Sequence, residues 1–173
     1  MNIVLIGYMG SGKSSIGKKL AAILKSSYCD LDEVIEKKEH RSITEIFKEK
    51  GEIYFRTIES KYLIEVLEQN SNSVIALGGG TPCYGNNMDE ITKAQGTVSI
   101  YLKASINSLS NRLFNEKANR PLIAHLETVE ALNEFIGKHL FERSSFYNQC
   151  KIVINTDNKS IDEVVESIFL QLF

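Results

Sequence analysis

The segment that most constrains the fold runs from Gly7 to Ser14 and reads Gly-Tyr-Met-Gly-Ser-Gly-Lys-Ser. It fits the phosphate-binding pattern G-x-x-x-x-G-K-[ST] at every fixed position. The short apolar run Asn2 to Ile6 precedes it and is typical of a buried strand. Apolar residues follow it at helical spacing, at Ile16, Leu20, Ile23 and Leu24. A strand, a loop and a helix in this order predict that backbone N–H groups converge on bound phosphates.

The residue types inside this loop predict their contacts with a nucleotide. Lys13 is expected to reach the β- and γ-phosphates, and the Ser14 hydroxyl to ligate the magnesium ion that bridges them. The other predicted nucleotide-binding residues of the loop are Gly10, Ser11, Gly12 and Ser15. Tyr8 and Met9 are interpreted as packing residues beside the nucleotide. A glycine-rich turn that merely caps a helix is the alternative, which the strand and helix on either side disfavour.

The length and net charge of the chain limit the classes of protein to which it could belong. The 173 residues suit one domain, and 20 basic against 22 acidic residues leave a net charge of -2, too balanced to favour nucleic acid as a partner. No apolar stretch approaches the roughly 20 residues of a spanning helix, and the loop begins too close to Met1 for a removable signal peptide. We therefore expect a cytoplasmic monomer without a membrane or nucleic-acid partner.

The cysteines and histidines do not suggest a metal site. Three cysteines, an odd number without C-x-x-C spacing, indicate reduced packing thiols rather than disulfides or a zinc site. The histidines also lack the spacing of ligands and are interpreted as structural or solvent-exposed: His40, His125 and His139.

Short strand-like runs alternate with helical patterns along the whole chain. The runs span residues 2–6, 73–77, 97–102 and 151–155, with a weaker candidate at 27–30. This alternation predicts a doubly wound parallel sheet, whose ligands gather outside the carboxyl ends of the strands. With no linker-like tract, residues 1–173 are predicted to form a single domain.

Two insertions into this pattern are expected to serve the ligand face. Residues 32–70 form a long, charged helical stretch with a break at Gly51, longer than one crossover needs. Residues 115–127, around Arg120-Pro121, are poorly periodic, as a mobile flap would be.

Glycines and carboxylates follow two of the predicted strands. Gly78 to Gly80 come directly after a strand and would let a ligand approach the main chain closely, although a tight turn also uses glycine. Asp30 and Asp32 lie at the end of another strand, where one carboxylate could hold water around magnesium and the other engage a hydroxyl. The alternative is that Asp32 caps a helix starting at Glu33 and Asp30 is a surface charge.

The segment from Gly51 to Glu59 reads Gly-Glu-Ile-Tyr-Phe-Arg-Thr-Ile-Glu. A G-E-x-x-F-R-x-x-E pattern, downstream of D-x-D and upstream of a strand ending in G-G-G, closely resembles shikimate kinase. The resemblance continues through residues 42–47, residues 120–123 and the late pair Arg143 and Tyr147. It implies a three-layer α/β/α P-loop kinase fold of the nucleoside monophosphate kinase type, with a central five-stranded parallel sheet. It also implies transfer of the ATP γ-phosphate to the 3-hydroxyl of shikimate.

The resemblance implies roles for individual residues as well. Arg56 and Arg143 would grip the shikimate carboxylate, and Asp32 and the backbone of Gly78, Gly79 and Gly80 would meet the ring hydroxyls. Asp30 would help Ser14 organise magnesium, and Asp32 would be a catalytic base or orient the accepting hydroxyl. Arg120 would be the lid arginine that reaches the transferring phosphate. Arg112 is expected beside adenine, helped by residues 155–159.

Other interpretations remain open at this point. Gluconate kinases and nucleoside monophosphate kinases share the phosphate-binding loop, but Arg56 and Arg143 favour a carboxylate acceptor. A nucleotide-dependent switch or a non-catalytic nucleotide-binding protein is a further alternative, yet the chain lacks the N-K-x-D motif of guanine switches. Taken alone, Arg56 and Glu59 could be an ordinary solvated helix pair, and Arg120 a surface residue before proline.

Overall fold

Five parallel strands form the central sheet of the computed structural model, which describes residues 1–173. The strands are β1 (Asn2–Ile6), β2 (Ser27–Asp30), β3 (Ser73–Ala76), β4 (Thr97–Lys103) and β5 (Ile152–Asn155). Their order across the sheet is β2-β3-β1-β4-β5, with Val4 of β1 between Ile75 of β3 and Ser99 of β4. The predicted parallel sheet is therefore confirmed, and strand ends differ from the predicted ones by a single residue.

Seven α-helices surround the sheet. They are α1 (Lys13–Leu24), α2 (Leu31–Glu39), α3 (Ile43–Gln69), α4 (Asn87–Lys93), α5 (Ile106–Phe114), α6 (Val129–Tyr147) and α7 (Ile161–Leu172). Polar side chains explain where several of them begin: Ser42, Ser105, Thr128 and Ser160 each accept a hydrogen bond from a backbone N–H of the first turn. No helix is long and apolar enough to cross a membrane.

Hydrophobic side chains cover both faces of the sheet. On one face, apolar residues of α2, α3 and α4 pack on β1 and β3; on the other face, α1 and α7 pack on the same sheet. The architecture is thus the expected three-layer α/β/α arrangement. Of the apolar residues at helical spacing in α1, Ile23 lies on the solvent side of the helix and is 51% exposed.

A third apolar cluster lies beyond the carboxyl edge of the sheet. It joins the phosphate-binding loop, through Tyr8, to α5, α6 and the flap, and it includes the fully buried side chain of Ile123. The flap is therefore anchored by Ile123, with Leu126 partly buried against the same cluster, while Leu122 is exposed.

The insertion between β2 and β3 consists of α2 and α3. Its predicted break occurs at Gly51, where φ is 83° and ψ is 174°, a backbone conformation that favours glycine. A second break separates the two helices at residues 40–42, where His40 also adopts a left-handed conformation. The part of α3 after the kink carries Arg56 and Glu59, which contact Gly80 and Thr81 just beyond the end of β3.

Candidate active site

One cleft of about 600 Å³ lies at the carboxyl ends of the central strands, a size suited to small ligands. It brings together most of the residues that the sequence predicts for the site: Gly10, Ser11, Gly12, Lys13, Ser14, Ser15, Asp30, Asp32, Gly78, Gly79, Arg112 and Arg120. Gly80, Arg56 and Arg143 do not line this cleft, but Gly80 completes the glycine triplet at its end, and the two arginines lie against Gly80 and Gly79. Residues separated by more than 100 positions in the sequence therefore share one site.

The phosphate-binding loop has the backbone shape that its glycines allow. Gly10 and Gly12 have φ angles of 78° and 94°, and Gly12 directly precedes the first residue of α1. The Lys13 ammonium group donates hydrogen bonds to the carbonyl oxygens of Gly7 (2.8 Å) and Tyr8 (3.0 Å). Burial lowers the pKa of Lys13 to about 8, although Asp32 and Asp30 oppose the shift. The result is a concave loop with a cation and a helix N-terminus directed to one place.

Asp30, rather than Asp32, caps the N-terminus of α2. Asp30 ends β2, and its carboxylate accepts the Asp32 N–H at 3.0 Å, so that Asp30 caps a helix beginning at Leu31. The idea that Asp32 caps a helix starting at Glu33 is wrong. Asp32 instead lies in the first turn of α2, beside Gly78.

The environment of Asp32 is acidic and poorly solvated. Burial raises the pKa of Asp32 to about 6, and the nearby carboxylates of Asp30 and Glu59 add to this effect. The Lys13 ammonium opposes it. A carboxyl group with such a pKa is a reasonable proton acceptor near neutral pH.

The oxygen atoms that face the phosphate-binding loop are suitable ligands for a magnesium ion. The Ser14 hydroxyl and the Asp30 carboxylate line the same cleft, and both are oxygen ligands. No group of three or more His, Cys, Asp or Glu residues is arranged to hold a metal. These residues fit an ion that takes most of its ligands from phosphate and water, as Mg²⁺ does in kinase sites.

Glu59 joins α3 to the glycine triplet. Its side chain is 1% exposed; one oxygen accepts a hydrogen bond from Arg56 Nη1 at 2.7 Å and the other from Thr81 Oγ1 at 2.6 Å. The Arg56 side chain is itself 16% exposed, so the pair is not an ordinary solvated helix pair. Thr81 was missed by sequence reasoning, since no motif distinguishes it from other buried threonines.

The glycine triplet lies between two arginines. A Cβ atom on Gly80 would lie 2.6 Å from Nη2 of Arg56, and one on Gly79 would lie 3.4 Å from Nη1 of Arg143. The Tyr147 hydroxyl donates to the Gly79 carbonyl at 2.6 Å. The segment does turn, into a short 3-10 helix at Thr81–Cys83, but its glycines are also needed because side chains pack directly on the backbone.

Two further arginines flank the opposite side of the cleft. Arg112 Nη1 donates to the Gly10 carbonyl at 3.0 Å, and Thr156 and Lys159 of the predicted adenine loop also line the cleft. In the flap, Nε and Nη2 of Arg120 donate to Glu116 Oε2 at 3.2 and 2.8 Å. Sequence reasoning missed Glu116, although its position four residues before Arg120 is a recognisable helical-pair spacing.

The chain is similar to known proteins over nearly its whole length. The family model described as Shikimate kinase matches residues 9–173. A shikimate kinase of Flavobacterium johnsoniae is 49% identical over 166 residues, covering 96% of this chain and 95% of the relative. One of Flavobacterium psychrophilum is 42% identical over 171 residues, covering 99% and 98%.

Solved structures agree with these sequence relatives. Shikimate kinase from Bacteroides thetaiotaomicron has a TM-score of 0.88 at 33% identity, covering 99% of this chain and 98% of that one. Shikimate kinase from Acinetobacter baumannii, solved in complex with shikimate, has a TM-score of 0.86 at 29% identity, covering 99% and 92%. A gluconokinase from Sinorhizobium meliloti, at 16% identity and a TM-score of 0.53, shares the fold alone.

Proposed function

The chain belongs to the shikimate kinase family, and we propose that it transfers the γ-phosphoryl group of ATP to the 3-hydroxyl of shikimate. The products are shikimate 3-phosphate and ADP. The observation that carries the proposal is that a phosphate-binding loop and two arginines meet around one glycine triplet, with the half-buried Asp32 beside Gly78.

On the acceptor side, Arg56 and Arg143 bind the carboxylate of shikimate. Their guanidinium groups lie against adjacent glycines, and their planar forks can donate paired hydrogen bonds to one carboxylate. Glu59 and Thr81 hold Arg56 in place, which reduces the entropy lost when the acceptor binds. The backbone of Gly78 to Gly80 contacts the ring hydroxyls.

On the donor side, the loop residues Gly10 to Ser15 bind the phosphates of ATP. Ser14 and Asp30 would hold a magnesium ion, which would neutralise negative charge between the phosphates. Lys13 and Arg120 offset the negative charge that develops on the transferring group, and Arg112 lies toward the adenine. Arg120 must leave Glu116 to do so, which a flap held mainly by Ile123 allows.

Asp32 acts on the accepting hydroxyl. The bond between the γ-phosphorus and the β–γ bridging oxygen breaks as the 3-hydroxyl oxygen bonds to phosphorus, and the hydroxyl proton passes to the Asp32 carboxylate. Because phosphoryl transfer is largely dissociative, orienting the hydroxyl is as important as removing its proton.

The function is tested by ADP release from MgATP with shikimate, gluconate, AMP and CMP supplied separately. We expect release with shikimate alone, together with a phosphate ester at its 3-oxygen in the ³¹P spectrum. Release with gluconate or a nucleotide, and none with shikimate, would favour another kinase of this fold. The same preparation checks the monomeric state by light scattering.

The acceptor site is tested by Arg56→Lys, which keeps the charge but loses the planar fork. A charge-assisted hydrogen bond is worth about 1.5–3 kcal/mol, so the KM for shikimate should rise roughly tenfold to a hundredfold, with little change in the KM for ATP. Arg41→Lys is the matched control, because Arg41 is exposed and paired with Glu49 outside the cleft. An unchanged KM in Arg56→Lys would move the carboxylate site elsewhere.

A further inference from the structure

Helix α6 presents four side chains at four-residue intervals along one face. They are Phe135, His139, Arg143 and Tyr147. Tyr147 bonds the Gly79 carbonyl, and Arg143 lies against Gly79. His139 meets the phosphate-binding loop, because its ring packs on Tyr8 (centroids 5.9 Å apart), and the Phe135 ring packs on His139 in turn (4.4 Å). This face, the α6 stripe, therefore spans both halves of the site.

Tyr8 is the residue of the phosphate-binding loop that contacts the α6 stripe. Its side chain is 1% exposed, and its hydroxyl lies 2.9 Å from Nδ1 of His139. The face of its ring lies under the Arg143 guanidinium, whose central carbon is 5.6 Å from the ring centroid. A cation over an aromatic face is attracted to it, so the Tyr8 ring also restrains the arginine.

Neither partner of this hydrogen bond is charged near neutral pH. Burial raises the pKa of Tyr8 to about 12, and burial, followed by the neighbouring Arg143 charge, lowers the pKa of His139. A neutral imidazole that accepts at Nδ1 carries its own proton on Nε2. His139 thus stays uncharged one turn from Arg143, where an imidazolium would repel the guanidinium.

We propose that Tyr8 and His139 are positioning residues for the acceptor site: their hydrogen bond holds the α6 stripe on the phosphate-binding loop and so places Arg143. The inference rests on the proposed function, because it assigns Arg143 to the carboxylate of shikimate. Without the bond, the Tyr8 ring remains packed in its apolar cluster, but its orientation under Arg143 is no longer fixed. The loss should therefore fall on acceptor binding.

The test compares variants that remove or keep the two partners. Tyr8→Phe removes only the hydroxyl, His139→Leu removes the acceptor, and His139→Asn keeps an acceptor close to the position of Nδ1. Tyr62→Phe is the matched control, because that tyrosine donates to Glu39 at 2.6 Å and has no contact with Arg143. For each variant we would measure kcat and the KM values for shikimate and ATP. Calorimetry gives the affinity for shikimate, and thermal unfolding gives the melting temperature.

Removing a neutral hydrogen bond should weaken shikimate binding about two- to tenfold, in Tyr8→Phe and in His139→Leu alike. The double variant should be no worse than either single one, because both break the same bond. His139→Asn should stay within about twofold of the unmodified protein, and so should Tyr62→Phe, even where its melting temperature falls. Turnover and the KM for ATP should change less than twofold throughout.

Several results would overturn the inference. One is unchanged shikimate binding in both Tyr8→Phe and His139→Leu. Another is an additive loss of shikimate binding in the double variant. A third is an equal rise in the KM values for ATP and shikimate, which indicates general loosening of the loop. If Tyr8→Phe does not fold, the His139 pair decides the question alone. If the unmodified protein binds no shikimate, both the proposed function and this inference fail. If it binds shikimate and the variants bind shikimate equally well, only the inference fails.

Discussion

The acid–base chemistry of Asp32 depends on its surroundings. Its pKa is about 6 because of burial and two neighbouring carboxylates, well above the ordinary value of 3.8. If it accepts the hydroxyl proton, only its ionised form is active. We expect kcat/KM to fall as the pH drops through about 6, and the fall to be absent in Asp32→Asn, whose residual activity is low and flat between pH 5 and 8.

The same shift makes a prediction about stability. Between the unfolded pKa near 3.8 and the folded pKa near 6, the folded protein binds more protons, so Asp32 makes the free energy of unfolding decrease as the pH rises through this window. Asp32→Asn should therefore be more stable than the unmodified protein at pH 8, by about 1–3 kcal/mol, and equally stable below pH 4. Denaturant titrations at both pH values measure it; equal stability at pH 8 would contradict the raised pKa.

Helix α6 contains a glycine, Gly137, in its interior. Glycine in a helix interior costs about 0.5–1 kcal/mol relative to alanine, and a Cβ at this position would have only an ordinary contact, 3.5 Å from Ile106 Cδ1. Gly137→Ala should thus raise the free energy of unfolding by about that amount without changing shikimate or ATP constants.

The control for that variant is Gly85→Ala. Gly85 also has free space around its Cα, but its φ of 52° disfavours a side chain, so alanine should destabilise the protein there. Opposite signs in chemical denaturation would show that backbone conformation, rather than space, decides the outcome. A destabilised Gly137→Ala protein would mean that α6 is more tightly packed than the contact indicates.

The flap is the element expected to move. Arg120 is paired with Glu116 at the protein surface, so its removal should cost little stability and little ground-state binding. When it engages the transferring phosphate, an arginine of this kind contributes about 10³–10⁵ in rate, and Arg120→Ala should lower kcat accordingly. Single-turnover kinetics with saturating substrates measure the effect, with Arg41→Ala as the exposed-arginine control. A kcat within tenfold of normal would leave Arg120 outside the transition state.

Ligands should stabilise the whole molecule, because the ATP and shikimate sites are built from distant segments and exist only in the folded chain. A ligand at about 1,000 times its Kd adds about 4 kcal/mol, or roughly 8 to 16 °C in Tm for a chain of this size. We expect such shifts from MgADP and from shikimate, measured separately by calorimetry, and none from gluconate. Protection of residues 115–124 from proteolysis should require both ligands together, since closure follows the second one.

The sequence by itself determined the parallel sheet, the phosphate-binding loop and the kink at Gly51, because each depends on residues that are near one another in the chain. Apolar periodicity reports burial locally, and a glycine reports an unusual backbone angle at its own position. The family pattern extended this to distant positions such as Arg56 and Arg143. Its roles for those residues remain predictions, while their places beside the glycine triplet are visible in the fold.

Only the tertiary structure decided which distant groups pair. Glu59 meets Thr81 from 22 residues away, and Tyr8 meets His139 from 131 residues away. It also showed that Asp30, not Asp32, caps α2, and that Ile23 faces solvent. Such pairings depend on how helices pack across the sheet. The spacing of residues within one segment of the sequence does not identify a partner in a distant segment. The burial that raises the pKa of Asp32 has the same origin, because it is produced by neighbours that the fold assembles.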